Sequence, residues 1–342
     1  DVGGVVDGII KGAGPVGDQR GGTQPTLTDG YLVSGIVSAD AALAGTITLD
    51  HAAAHRALSA LGKPLGLDAE QVANGAIAVA TAQMATELNK ALAQRGLTAD
   101  GLTLIPFGGA GPTHANFFAE EAGINRILVP LRPGTFCAEG AISADIRRDF
   151  VRSLRLNVTP ESYGKIAATV AEQHQLAQTW FAEQASRLSD RAHYRVEADM
   201  RYAGQAYELS VSLGSPISIT HPLLLERFQQ LHQQRYGFNT PDVAIELTTL
   251  RLSLNAALPR PTDKPFNAIT KLDESRSRPL YLRGTWVNAR IRQRINIDKQ
   301  IHIDGPAVIE QDDTTTLILP GWSAHADVNG NLLIARVTGD AS

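Results

Sequence analysis

An apolar run from Leu102 to Phe107 delivers four small residues, Gly108, Gly109, Ala110 and Gly111, onto a helical pattern from Thr113 to about Ala122. A second apolar run follows from Arg126 to Pro130. Strand, glycine turn, helix and strand in that order point to an α/β protein. Such a turn allows close approach to the backbone, and the free N–H groups of the helix start attract anions, so open α/β proteins hold phosphates and nucleotides there. A turn needed only for packing is the alternative, and without further information the commoner one.

The pattern changes along the chain. Residues 1 to about 35 are rich in glycine and turn dipeptides (Gly3-Gly4, Gly14-Pro15, Gly21-Gly22) and read as loops joining short strands. Asp68 and Gln71 form a capping-box pair, and Ile77, Met84, Leu88 and Leu92 recur at helical spacing, which predicts a helix over about 69–95 closed by Gly96. Thr159, Pro160 and Glu161 start another helix, which runs to about Ser189 along Ile166, Val170, Ala177, Phe181 and Leu188. Residues 193–213 read as two strands about a turn at Gly204, 222–236 as a helix and 243–257 as a long strand. From Pro259 a linker leads into a β-rich tail with a hairpin turn at Asn329-Gly330. Three consecutive units follow from this: an α/β unit over 1–150, an α+β unit over 151–258 and a β-rich unit over 259–342. A chain of 342 residues has room for them.

Composition excludes some classes of function. Apolar residues make up 43% and charged residues 19%, as in ordinary globular domains. The net charge of −4 and the scatter of Lys and Arg give no electrostatic case for nucleic acid. No run reaches the roughly 20 apolar residues that span a bilayer, so a membrane role is not expected. The lone Cys137 forms neither an internal disulfide nor a metal cluster; it suits a reducing cytoplasm and reads as a buried, inert thiol. His51 and His55 share a helix face but carry no metal-site pattern, so no metal site is expected of the histidines.

Five blocks carry a resemblance. Phe107 to Ala115 (FGGAGPTHA), Arg20 to Asp29 (RGGTQPTLTD), Pro133 to Ser153 (PGTFCAEGAISADIRRDFVRS), Asp199 to Leu209 (DMRYAGQAYEL) and Gly305 to Trp322 (GPAVIEQDDTTTLILPGW) resemble, in family order, the hydantoinase A/oxoprolinase family. That family belongs with actin, sugar kinases and heat-shock chaperones in one ATPase superfamily. The resemblance implies half of an actin-like (ribonuclease H-like) ATPase core over 1–150, followed by the α+β and β-rich units. It implies nucleotide contact at Gly108, Gly109, Ala110 and Gly111. His114, at the start of the following helix, stands to contact a phosphate, substrate or metal, or to cap the helix.

Asp1, Val2, Gly3 and Gly4 match the start of the family's DVGGT phosphate signature, in which the Asp organises the metal and attacking group and the glycines wrap phosphates. Val5 breaks the match, and the glycine-rich stretch expected ahead of RGGTQPT is largely missing. Pro133 to Ser153 resembles the segment in which a small-residue helix (Gly140, Ala141, Ser143) packs at an interdomain hinge. There Asp145, Arg147, Arg148 and Asp149 stand either for ion pairs or, preferably, for a solvated charged face. Glu87 is placed either at a ribose or, preferably, on the helix surface.

The implied chemistry is ATP- and magnesium-dependent activation of the carbonyl of a small-molecule cyclic amide by phosphorylation, in a hydrolase of hydantoinase or oxoprolinase type. A subunit of an ATP-dependent ketone carboxylase and a noncatalytic assembly protein are the alternatives. Two partners are implied as well: the missing N-terminal half and a hydantoinase B type subunit.

Overall fold

A computed structural model describes residues 14–19, 21–40, 48–184, 192–216, 219–258, 276–297 and 301–337. Asp1, Gly3, Gly4 and the linker expected after Pro259 lie outside the described residues. The helices are α1 Leu27–Val33, α2 His51–Gly62, α3 Ala69–Ala93, α4 Gly111–Glu121, α5 Phe136–Ser143, α6 Pro160–Glu183 and α7 His221–Tyr236. The strands are β1 Arg126–Val129, β2 Ile146–Asn157, β3 Ala192–Tyr202, β4 Leu209–Gly214, β5 Ile245–Ala256 and β6 Arg276–Leu282, followed by β7 Thr285–Gln293, β8 Ile303–Asp304, β9 Ala307–Glu310, β10 Thr315–Ile318, β11 Trp322–Ala326 and β12 Leu332–Arg336.

The protein is mixed α/β, but its units are not consecutive. Described residues of 1–139 and 263–342 form one compact unit, and those of 140–262 form the other. The expected boundaries near 150 and 259 are therefore corrected: the β-rich tail does not stand alone. Its last strand, β12, pairs antiparallel with β1, Ile127 opposite Ile334 and Val129 opposite Leu332, so the sheet β1-β12-β11-β8 joins segments roughly 200 residues apart in the sequence. A second four-stranded sheet, β10-β9-β7-β6, completes this unit.

Helix formation follows local chemistry. Asp68 accepts from the Gln71 amide at 2.7 Å, while the Gln71 side chain accepts from the Asp68 amide at 3.0 Å, and together they start α3. One face of α3 buries Val72, Ala73, Ile77, Thr81 and Ala85, whereas Val79 and Met84 on the other side stay exposed. The segment read as loops and strands contains α1, whose start is held by Thr26 and the buried Asp29; seven residues with a central glycine are too short to show a helical period. The strand expected over Leu102 to Phe107 is reduced to a single parallel bridge, Leu104 to Ile127.

The second unit is one antiparallel sheet, β2-β5-β3-β4, with α6 and α7 on one face. Leu250, Leu252 and Leu254 of β5 and Val196, Ala198 and Met200 of β3 point into that core with Ile166 and Phe228. Each fully buried Leu or Met side chain contributes roughly 1.5–3 kcal/mol. The charges of Asp145 to Asp149 stand on an exposed face, at the start of strand β2. Arg147 and Asp149 project from the open side of a strand as an ion pair at 2.9 Å, and Arg148 lies over the Phe150 and Trp180 rings. The hinge-type helix is present as α5, but none of its side chains is buried, and Cys137 within it is exposed rather than buried.

Candidate functional site

The glycine turn is built by its neighbours in the first unit. After Pro106 the chain turns at Gly108, whose φ of 78° is a conformation that side-chain-bearing residues rarely adopt, and its amide donates to Pro133 O at 2.7 Å. A Cβ at Gly108 would meet nothing within 4 Å, so this glycine answers a backbone demand and leaves open space beside it. Gly109 and Ala110 are exposed, and Ala110 is the N-cap of α4 without a capping side chain. No side chain caps this helix start, and because Pro112 has no amide the free N–H groups of its first turn that can face an anion are those of Gly111 and Thr113. Phe107 and Phe136 flank the turn with ring centroids 5.9 Å apart, and both are exposed.

The far side of the turn is held by a segment that the sequence reading assigned to no site, the loop between β9 and β10. The Thr314 hydroxyl donates to Gly109 O at 2.7 Å, and the Thr113 hydroxyl donates to Thr315 O at 2.7 Å. The Asp313 carboxylate accepts from the Gly134 amide at 2.8 Å, and a Cβ on Gly134 would collide with that carboxylate at 2.5 Å. Further along α4, Asn116 accepts from the Leu319 amide at 2.8 Å. Helix and turn thus rest on the strand that the TTT run of the tail forms. The only signal for this in the sequence was that run itself, three β-branched hydroxyl residues in a block of family type.

His114 is turned away from the open side. It is 6% exposed, with Nδ1 2.5 Å from the Tyr31 hydroxyl and Nε2 2.9 Å from Thr81 Oγ1. Thr81 gives its own proton to Ile77 O at 2.7 Å, so Nε2 is the donor to Thr81 and Nδ1 accepts from Tyr31. Burial pushes the imidazole down to about 4 and the Tyr31 phenol above its ordinary value. The imidazole is a neutral cross-link among α1, α3 and α4. The expectation that it reaches a phosphate, substrate or metal is corrected, because both ring nitrogens are spent inside the core.

The remaining candidates separate clearly. Glu87 pairs with Lys90 at 3.7 Å on the exposed side of α3, as the surface reading of that residue has it. His51 and His55 stack on α2 with centroids 6.1 Å apart, and His55 faces Glu70. Asp29, in the RGGTQPTLTD block, is buried and accepts from the amides of Val16, Gly17 and Thr26, so it organises the loop ahead of α1. No group of three His, Cys, Asp or Glu among the described residues could hold a metal ion. No helix among them is long and apolar enough to cross a membrane.

The comparison with known proteins covers almost the whole chain: residues 10–150 match the hydantoinase/oxoprolinase family and residues 165–334 the hydantoinase/oxoprolinase C-terminal domain. The chain belongs to the hydantoinase/oxoprolinase family. It is 29% identical to the caprolactamase subunit alpha of Pseudomonas jessenii, over 92% of this chain and 47% of that protein. It is 26% identical to the acetone carboxylase beta subunit of Xanthobacter autotrophicus, over 88% of this chain and 44% of that protein. The crystal structure of the ATP-dependent caprolactamase from P. jessenii superimposes with a TM-score of 0.74 at 28% identity, over 95% of this chain and 48% of that one. The chain thus spans about half the length of these relatives, and its fold is of hydantoinase type.

Proposed function

We propose that this chain supplies part of an ATP-dependent enzyme that activates the carbonyl of a cyclic amide by phosphorylation. The observation that carries this reading is the open glycine turn from Gly108 to Gly111, set on an uncapped helix start and braced by Thr314, in a member of this family. The adenosine of ATP would lie against Gly108, Gly109 and Ala110, where any larger side chain would occupy its space. The first unit then corresponds to half of an actin-like core. Phosphates and magnesium would be held by the other half together with the stretch containing Asp1, Gly3 and Gly4.

The chemistry has a simple rationale. Amide resonance makes the carbonyl carbon a poor electrophile. Transfer of the γ-phosphoryl group to the amide oxygen, with ADP leaving, makes the carbon electrophilic; water adds there, the C–N bond breaks with the nitrogen leaving as an amine, and a second water releases phosphate from the acyl phosphate. Catalysis reduces to positioning and charge stabilisation, which suits a site built from backbone amides. The likeness to an acetone carboxylase subunit supports a second reading, in which the activated carbonyl belongs to a ketone and the acceptor is a carboxylating carbon. Both need partners, an N-terminal half and a hydantoinase B type subunit, and relatives named as subunits support an assembly of this kind.

Phosphate release by the reconstituted assembly tests the two readings together. Release with ATP and a lactam or hydantoin supports the first, and release only with a ketone and bicarbonate supports the second. An assembly that binds no nucleotide would sink both and leave a noncatalytic assembly role.

A further inference from the structure

The second unit carries a cavity of about 600 Å³ on the face of its sheet that α6 and α7 do not cover. The alternation of three strands builds it. β3 contributes His193, Arg195 and Glu197, β5 contributes Ser253 and Asn255, and β2 contributes Arg147. Register places Arg147 and His193 on either side of Asn255, and Asp149 and Arg195 on either side of Ser253. The lining is mainly polar, with Arg147, Arg195 and Glu197 among it, and Asp149 stands against Arg147.

An open sheet face normally carries charges that neutralise each other across strands, and most of this face does so. Arg201 pairs with Glu246 at 2.8 Å and Glu208 at 3.7 Å, and Arg251 with Glu197 at 3.9 Å and Asp199 at 3.8 Å. Arg147 is fixed by Asp149 at 2.9 Å and by Ser253 Oγ at 3.1 Å, while Ser253 donates to Asp149 at 2.6 Å. That clamp orients the Arg147 guanidinium in advance and leaves its Nη1 without a partner among the described residues. Arg195 differs from all of them: among the described residues no carboxylate lies within ion-pair distance of it, although Glu197 stands two residues away on the same face, already engaged by Arg251.

We propose that this cavity binds a small polar anion bearing a carboxylate or phosphate group, held by Arg195 and by the pre-oriented Arg147, with His193 and Asn255 beside it. A planar guanidinium matches the two oxygens of either group, and pre-orientation lowers the cost of binding. The volume admits more than a bare oxyanion, so the ligand carries further polar atoms that face Ser253 and Asn255. The proposal is independent of the nucleotide reading, since every residue it uses lies in the second unit.

Calorimetric titration of the full chain at low ionic strength, with inorganic phosphate in one series and succinate in another, decides the matter. Saturable binding of at least one probe is expected, and the stronger arm tells a phosphate-bearing ligand from a carboxylate-bearing one. Arg195→Gln should weaken that binding tenfold or more, and Arg195→Lys should weaken it less, keeping the charge but losing the fork. Arg227→Gln, an exposed change on α7 away from the cavity, should leave it unaltered. His193→Gln provides a second lining variant should Arg195→Gln melt early. No saturable heat with either probe, or equal affinities for wild type, Arg195→Gln and His193→Gln, would overturn the proposal.

Discussion

Thr314 Oγ1 donates to the carbonyl oxygen of Gly109 at 2.7 Å, tying a residue of the β-rich tail to a glycine 205 positions earlier in the chain. Thr314 is buried, so Thr314→Val keeps the shape of the side chain and removes only the donor. Loss of one such bond should cost about 1–2 kcal/mol, visible as a lowered urea midpoint. The Gly109 carbonyl would then be free to reorient, and, if the turn holds nucleotide as proposed, nucleotide affinity of the assembly should fall with it. An unchanged midpoint would show that the bond contributes nothing to holding the turn.

Gly109→Val separates binding from folding. The φ of Gly109 is ordinary, and a Cβ there would meet only Asp313 O at 3.6 Å, so the variant should melt close to wild type. If adenosine lies against this turn, the added methyl groups occupy its place and ATP affinity falls at least about tenfold, or 1.4 kcal/mol. Gly108→Val should behave differently, because its φ of 78° penalises a β-branched residue whether or not a ligand is present. Titration and melting of both variants in the full assembly check this. Equal ATP affinity in wild type and Gly109→Val would remove the turn from the nucleotide site.

The Tyr31–His114 contact makes stability depend on pH. The imidazole is pushed down to about 4 in the folded protein and returns to about 6.5 on unfolding, so between those values the unfolded chain binds a proton that the native one does not. The contribution is fully present above about pH 6.5 and is lost as pH falls toward 4. Its size is on the order of 3 kcal/mol. Urea midpoints measured from pH 7.5 down to 4.5 should fall more steeply for wild type than for His114→Gln, which lacks the titrating group. Parallel curves would refute the assignment of this ring as a buried neutral cross-link.

Because Cys137 is exposed on a helix with no buried side chain, a thiol reagent should label the native chain to one equivalent without denaturant. In the complete assembly, protection of that thiol would map α5 to a covered surface. A native chain that reacts only after urea is added would contradict the exposure.

Among the described residues Val79 and Met84 of α3, and Ile105 and Phe107 ahead of α4, are exposed apolar side chains. Exposed apolar side chains mark an interaction site where they gather into a patch. Val79→Gln with Met84→Gln should leave melting of the isolated chain nearly unchanged and reduce recovery of the partner on copurification. Equal recovery of partner would argue that this side of α3 faces water.

The long helices were legible because each announces itself locally. Asp68 with Gln71, and Thr159 with Ser162, cap starts that are followed by apolar residues at helical spacing. The hairpin at Asn329-Gly330 and the strands about Gly204 were legible through their turns. β2 was not, because its open side carries Arg147, Asp149 and Ser153 and its covered side sets Arg148 between Ile146 and Phe150, so polar residues on both faces erase the alternation. The brace on the glycine turn was equally hidden, since no local pattern says that Thr314 will meet Gly109. His114 misled for a related reason. A histidine beside a glycine turn reads as a ligand-facing group until the Tyr31 and Thr81 hydroxyls are seen on its two nitrogens.

The pairing of β1 with β12 also sets a timetable. Val129 must wait for Leu332, roughly 200 residues later, and at about 5–20 residues per second the ribosome takes some 10–40 s to supply it. During that interval β1 leaves the ribosome with an unpaired edge and an apolar face uncovered, whereas the segment 140–262 is complete early and can close its own sheet. The inserted unit is thus born before the unit that encloses it in sequence, and the nascent chain spends that time in the condition that draws chaperones. A premature stop ahead of Leu332 would strip away β12 and leave the first sheet without the strand that joins β1 to β11, however intact the glycine turn remained.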